Sequence, residues 1–200
     1  MVFKEKIMRI GIAGAQSVGK TTLLNALRSE KMFKDMKVCN EVTRRVMSYG
    51  LPINEQGNDI TQKLIMQEHI VNVFMYSSFI TDRTALDGVV YSKYLHQTGK
   101  INDETMTFAS DVFFKLFPRY DIMFYIEPEF EIQNDGVRSI DLDFRNKIVD
   151  IFNEYIETFK LPVTKLSGSV RERVEQAIHA YKEQERLLTW KEELDCDYGQ

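Results

Sequence analysis

The stretch from Ile10 to Leu27, IGIAGAQSVGKTTLLNAL, constrains the fold more than any other. A short apolar run predicts a strand, and Leu23, Leu24 and Leu27 then recur on one side of a predicted helix. Between them Gly14, Ala15, Gln16, Ser17, Val18, Gly19, Lys20 and Thr21 fit G-x-x-x-x-G-K-[ST] in full. In this strand–loop–helix context the glycines let backbone N–H groups turn inward around phosphate oxygens, and the helix start adds partial positive charge. Lys20 is expected at the β- and γ-phosphates, the Thr21 hydroxyl on Mg²⁺ and Thr22 at the α-phosphate. A nucleoside triphosphate with magnesium is the implied ligand. Without a guanine-reading N-K-x-D motif the base expected is adenine, hence ATP.

A strand feeding a helix through such a loop is one unit of a parallel sheet, and the rest of the chain repeats the rhythm. Further strands are expected at Met36–Asn40, Ser78–Thr81, Ile122–Ile126 and Val163–Leu166, with the first opening at Ile7. Helices are expected over Lys20–Arg28, Asp59–Tyr76, Asp87–Gln97, Glu104–Phe117 and Phe144–Phe159. Ser169 and Glu172 spell a capping box that opens the last main helix. The expectation is one α/β domain over residues 1–188, a doubly wound parallel sheet with helices on both faces, and a C-terminal tail over 189–200 that is a short helix or a flexible end. A net charge of −4 offers no electrostatic footprint for non-specific DNA or membrane binding. Cys39 and Cys196 make no metal spacing, and with no export signal at the start they fit a reducing cytoplasm. The sequence leaves the oligomeric state open, a homodimer included.

Three clusters follow the loop. In FITDRTALDGVVYSKYL, Asp82 and Arg83 lie just past the third strand. A carboxylate there can hold the Mg²⁺ shell or accept a proton from an attacking hydroxyl, and the arginine can grip an acceptor. Asp87 is expected to cap the next helix, with Tyr91 lining or supporting the site. No Asp-Glu pair ends a strand, as it would in a motor or AAA-type ATPase. In VCNEVTRRV, Glu41 follows the second strand and can orient or deprotonate an acceptor hydroxyl, with Arg44 and Arg45 able to pair an anionic acceptor. In NDGVRSIDLDFR, Arg138 and Arg145 could close over the phosphates and neutralise charge as the γ-phosphoryl group moves. Gly168 at the last strand end could pack its backbone on adenine. Arg171 could stack on the base or stand in solvent.

Taken in order, the loop, EVTRR, TDRTALDGVVY and DGVRS resemble the P-loop kinase family that includes the ribosylnicotinamide kinase domain and many phage-encoded AAA-like kinases. TDRTALDGVVYSKYL is also similar to the Asp-Arg segment of thymidylate kinases, departing from it at Thr84, where an aromatic is usual. Deoxynucleoside kinases carry glutamate where Asp82 stands. The resemblance spans about Ile7 to Arg171. It implies a P-loop NTPase fold with a five-stranded parallel sheet, ATP as donor and an arginine-bearing lid. It makes Lys20 and Thr21 nucleotide and metal contacts, Asp82 the acceptor-side carboxylate and Arg138 a lid arginine. The expected activity is phosphoryl transfer from ATP·Mg²⁺ to a small nucleoside or nucleotide. The alternatives are hydroxymethylated bases in phage DNA as acceptor, or a regulatory ATP/GTP module with no acceptor.

Overall fold

The computed structural model describes residues 7–39, 42–128 and 142–197, with the backbone alone described at residue 44 and over 191–197. Five strands form one parallel sheet: β1 (Arg9–Ala13), β2 (Lys37–Cys39), β3 (Phe79–Thr81), β4 (Ile122–Ile126) and β5 (Thr164–Leu166). Their spatial order is β2-β3-β1-β4-β5. β1 is central, with Gly11 opposite both Thr81 and Met123. Every residue of β4 is buried, which is why IMFYI reads as a continuous apolar run rather than an alternating one.

The helices are α1 (Lys20–Leu27), α2 (Val42–Ser48), α3 (Asp59–Met75), α4 (Ala85–Gln97), α5 (Asp103–Leu116), α6 (Leu142–Thr158) and α7 (Val170–Asp197). α1 packs with α7, while α3, α4, α5 and α6 pack among themselves. Phe33, after α1, meets Tyr181 of α7 edge-on at 5.2 Å, and Tyr94 of α4 meets Phe144 of α6 at 4.7 Å. Such aromatic pairs lock neighbouring elements by about 0.5–1.5 kcal/mol beyond their buried area.

The expected alternation and the parallel sheet are present, with boundaries differing by a residue or two. β1 opens at Arg9 rather than Ile7, and α6 opens at Leu142 rather than Phe144. α2 is an additional short helix whose Val42 and Val46 bury against Ile65 of α3. α7 continues without a break to Asp197, so the stretch after Leu188 is described as further turns of that helix. Its run of Lys, Glu and Leu consists of good helix formers even without a strong apolar period.

Asp87 does not cap α4. Thr84 is the N-cap, its side chain accepting from Leu86 N and Asp87 N, while Asp87 at the third helical position accepts from Thr84 N and Thr84 Oγ1, both at 2.9 Å. The Thr-x-x-Asp spacing therefore forms a reciprocal box that begins three residues earlier than expected. The Ser169–Glu172 box at α7 forms as read, with Glu172 Oε2 accepting from Ser169 N and Oγ at 2.7 Å each.

Candidate functional site

The loop between β1 and α1 lies at the sheet's switch point, where β1 is flanked by β3 on one side and β4 on the other. Ligands of open parallel sheets bind beyond the strand ends at such a point. Gly14 has φ 148°, and a Cβ there would stand 2.7 Å from the Ile126 carbonyl oxygen, so only glycine permits this turn. Lys20 is buried, and its Nζ donates to Gly14 O and Ala15 O at 2.6 Å each. Its ammonium is thus held against the loop's own carbonyls. Gln16 Nε2 and Ser17 Oγ are buried in the same loop without a protein partner. Buried polar atoms left this way are costly unless a ligand or water completes them.

Two long-range contacts attach the loop to the rest of the site. Thr21 Oγ1 donates to Asp82 Oδ2 at 2.7 Å, bringing the two residues expected at magnesium together. Tyr91 OH donates to Gln16 Oε1 at 2.7 Å, and the Arg83 guanidinium lies 5.6 Å from the centre of the Tyr91 ring. Asp87, buried beneath them, also accepts from Gly14 N at 3.4 Å. Burial pushes the Asp87 carboxyl above its ordinary pKa, a shift partly countered by Lys20, Arg83 and Thr84. Burial opposes the charge of Arg83, but the oxygens of Tyr91, Asp87 and Asp82 outweigh it and hold the guanidinium's pKa up.

Beside this constellation a small open cleft lies between α3 and α4. Its lining includes Asn54, Gln62, His69, Arg83, Asp87 and Tyr91. The cavity therefore shares Arg83, Asp87 and Tyr91 with the phosphate loop's surroundings. His69 is 1% exposed, and burial together with the nearby Arg83 charge lowers its pKa to about 3, so the imidazole is neutral at physiological pH.

The remaining expected residues divide. Thr22 is exposed on α1. Arg45 pairs with Glu68 at 2.8 Å on an exposed face of α2 and α3. Arg145 is 4% exposed and stands in the first turns of α6, the helix expected to include it. Gly168, at φ 86°, turns the chain into the α7 capping box, where a Cβ would meet Glu172 Oε2 at 2.6 Å. Arg171 is solvent-exposed and paired to Glu175 at 3.0 Å. Arg173, two residues on and 4% exposed, reaches the loop instead, donating from Nη1 to Val18 O at 2.9 Å. Glu41, Arg138 and the side chain of Arg44 lie outside the described residues.

Asn54, Gln62, His69 and Arg173 were not legible as site residues. Gln62 and His69 stand seven apart on α3, two turns along one face, and a polar pair at that spacing inside an otherwise buried stripe is the sign that could have marked them.

Among the described residues no helix is long and apolar enough to cross a membrane. A family model described as an AAA domain matches residues 9–173. No curated protein matches the sequence. Several solved structures are similar in fold. NadR in complex with NR superposes with a TM-score of 0.67 at 20% identity, covering 92% of this chain and 53% of that one. This chain thus spans about half the length of the NadR chains it matches. A deoxyadenosine kinase from M. mycoides, with products dCMP and dCDP bound, gives a TM-score of 0.63 at 13% identity and covers 88% of this chain and 99% of that one. The YorR protein from Bacillus subtilis, in complex with phosphorylated GDP, gives 0.57 at 15% identity over 88% and 97%. These likenesses show the fold, a five-stranded parallel P-loop sheet wrapped in helices.

Proposed function

This chain belongs to the AAA domain family, and from that premise we propose that it is a phosphotransferase moving the γ-phosphoryl group of ATP to a nucleoside or nucleotide. The observation that carries the reading is the second cavity, contiguous with the phosphate loop through Arg83, Asp87 and Tyr91. A nucleotide switch needs one ligand pocket; a kinase needs two that meet at the γ-phosphate. That three of the neighbouring structures are of a deoxyadenosine kinase supports the same reading.

The loop fits a magnesium nucleotide. It offers the orphaned Gln16 Nε2 and Ser17 Oγ, a buried ammonium, and a hydroxyl–carboxylate pair of hard oxygens at Thr21 and Asp82. No group of three His, Cys, Asp or Glu residues forms a metal site among the described residues. Magnesium in such enzymes needs only one or two protein oxygens besides phosphates and water. When bound, Mg²⁺ supplies charge neutralisation on the phosphates.

The chain's residues then divide the work. Gly14–Thr22 hold the phosphates. Lys20 leaves the Gly14 and Ala15 carbonyls and follows the γ-phosphoryl group. Asp82 positions the metal side, and Asp82 or Glu41 orients the acceptor hydroxyl and accepts its proton. Arg83 grips the acceptor, Tyr91 braces Gln16, and Arg138 neutralises the transferring charge from the segment before α6. Arg173 holds the loop's shape from α7.

The test is a screen of nucleosides and nucleotides for acceptor-dependent ADP release, with Lys20→Ala and Asp82→Asn as controls. Both variants should reduce turnover by orders of magnitude, and Lys20→Ala should also weaken ATP binding. Basal hydrolysis indifferent to every acceptor would sink the kinase reading in favour of a regulatory module. Labelled phosphate passing to polymer DNA but not to free nucleotides would move the acceptor to modified bases in DNA. Unchanged turnover in Asp82→Asn would move the base to Glu41.

A further inference from the structure

A relay of side chains joins Gln16 in the phosphate loop to α4. Gln16 is 5% exposed, and its Oε1 accepts from Tyr91 OH at 2.7 Å. Tyr91 in turn shares a hydrogen bond with Arg83. A guanidinium carries donors only, so the phenol oxygen accepts from Arg83 and its own proton goes to Gln16. That direction fixes the amide: Oε1 faces Tyr91, and Nε2 with its two N–H donors faces away. Nε2 is buried and has no partner among the described residues.

The relay is held from several sides. Tyr91 is itself 5% exposed, its ring meets Phe144 of α6 edge-on at 6.0 Å, and the Arg83 guanidinium lies 5.6 Å from the ring centre. Asp87 accepts from Gly14 N at 3.4 Å, so the start of the loop is pinned to the same helix that carries Tyr91. Burial pushes the Tyr91 phenol above its ordinary pKa, so it keeps its proton and stays a donor at neutral pH. An amide whose oxygen is tied cannot flip freely, and a donor set in advance needs little reorganisation when charge arrives beside it. Lys20, the residue expected at the β- and γ-phosphates, donates to Gly14 O and Ala15 O, the two residues before Gln16. Thr22, expected at the α-phosphate, stands on α1 at the other end of the loop. Gln16 therefore belongs to the end of the loop that serves the terminal phosphate.

We propose that Gln16 reads the terminal phosphate: its Nε2 donates to a γ-phosphate oxygen of the bound nucleoside triphosphate, and Tyr91 is the positioning residue that holds the amide in that orientation. This rests on the nucleotide reading of the loop and adds to it a device that tells triphosphate from diphosphate. The backbone cradle serves both nucleotides, whereas a charge-assisted bond to the γ-phosphate forms with the triphosphate alone.

The experiment is calorimetric titration of the full chain with AMP-PNP and with ADP, each with Mg²⁺, for the wild type, Gln16→Met, Tyr91→Phe and the double variant. The quantity read is the ratio of the two dissociation constants, AMP-PNP over ADP. Gln16→Met keeps the length of the side chain and removes both polar atoms, so it should raise the ratio about tenfold, the worth of one hydrogen bond to a charged group. Tyr91→Phe leaves the amide but releases it, and should raise the ratio severalfold. The double variant should match Gln16→Met, because Tyr91 acts through Gln16. An unchanged ratio in Gln16→Met overturns the proposal, whether both affinities hold or both fall together, since an equal loss reports only the shape of the loop. A Tyr91→Phe effect that adds in full to that of Gln16→Met also overturns it, by making Tyr91 an independent brace. Should thermal unfolding show that Gln16→Met does not fold, the ratio in Tyr91→Phe decides. Failure of the wild type to bind either nucleotide overturns the proposal and the nucleotide reading together. The kinase reading fails separately: a ratio that depends on Gln16, with ADP release indifferent to every acceptor, leaves the phosphate reader standing and removes the transfer.

Discussion

Replacing His69 with glutamine should change how stability depends on pH rather than stability alone. His69 is 1% exposed and its pKa falls from 6.5 to about 3, first through burial and second through the Arg83 charge. Below pH 6.5 the unfolded chain takes up a proton at this residue that the folded chain refuses. Stability is therefore full above pH 6.5 and is lost as the pH falls toward 3. One pH unit in that window is worth about 1.4 kcal/mol, so the whole displacement amounts to at most about 5 kcal/mol. Between pH 7.5 and 4.5 the wild type should lose about 2.5 kcal/mol more than His69→Gln, a relative drop in Tm of roughly 5–10 °C for a chain of this size. The assay is urea unfolding followed by circular dichroism at pH 7.5, 6.5, 5.5 and 4.5. The variant has a constant packing deficit, which cancels in the slope. Parallel wild-type and variant curves across this range would refute the argument, because they would mean that His69 titrates alike in both states. Arg83→Met should raise the folded pKa only modestly, burial being the larger cause.

Other perturbations test the loop and its supports. Asp87→Ala removes two 2.9 Å bonds at Thr84 and one half of the α4 capping box, and should destabilise by about 2–3 kcal/mol in thermal or urea unfolding, with Asp87→Asn milder. Gly14→Ala forces a Cβ to 2.7 Å from Ile126 O at a φ of 148°, so it should lower Tm by several degrees and abolish nucleotide binding in calorimetry. Arg173→Met keeps most of the side chain's bulk but drops the 2.9 Å bond to Val18 O. ATP affinity should fall by about tenfold, with the acceptor KM little changed. Cys39 is buried and its thiol is pushed up to about 11, so in a Cys196→Ser background the folded protein should resist a thiol reagent at pH 8 until denatured.

What could be read along the chain was local. The phosphate loop, the five strands and most helices follow from short-range rules: glycines where φ must be positive, apolar runs where both sheet faces are covered, and capping residues at fixed offsets. The α3 pattern misleads for a physical reason. Ile60 and Phe74 fit the helical period but are about 60% exposed, whereas Thr61, Gln62 and His69 are buried. Periodicity assumes that a helix's inner face is apolar, and it fails where that face lines a polar cavity. Arg171, open in sequence between the base and solvent, is a second case. Both it and Arg173 stand in the first turns of α7, and only the docking of α7 on α1 decides which one points at the loop.

By itself, the sequence determined that this chain makes a parallel α/β sheet around a phosphate-binding loop, with acidic and basic residues after the second and third strands. The tertiary structure alone decided which of those residues meet. Thr21 and Asp82 are 61 residues apart, Tyr91 and Gln16 are 75 apart, and Arg173 and Val18 are 155 apart. Contacts at such separations are set by strand order and helix packing, because a side chain's local propensity carries no information about the element that crosses over it. The cleft beside the loop is lined by Thr43 of α2, Asn54 of the 3-10 turn, Arg83 after β3 and residues of α3 and α4, which only the packing of those elements brings together.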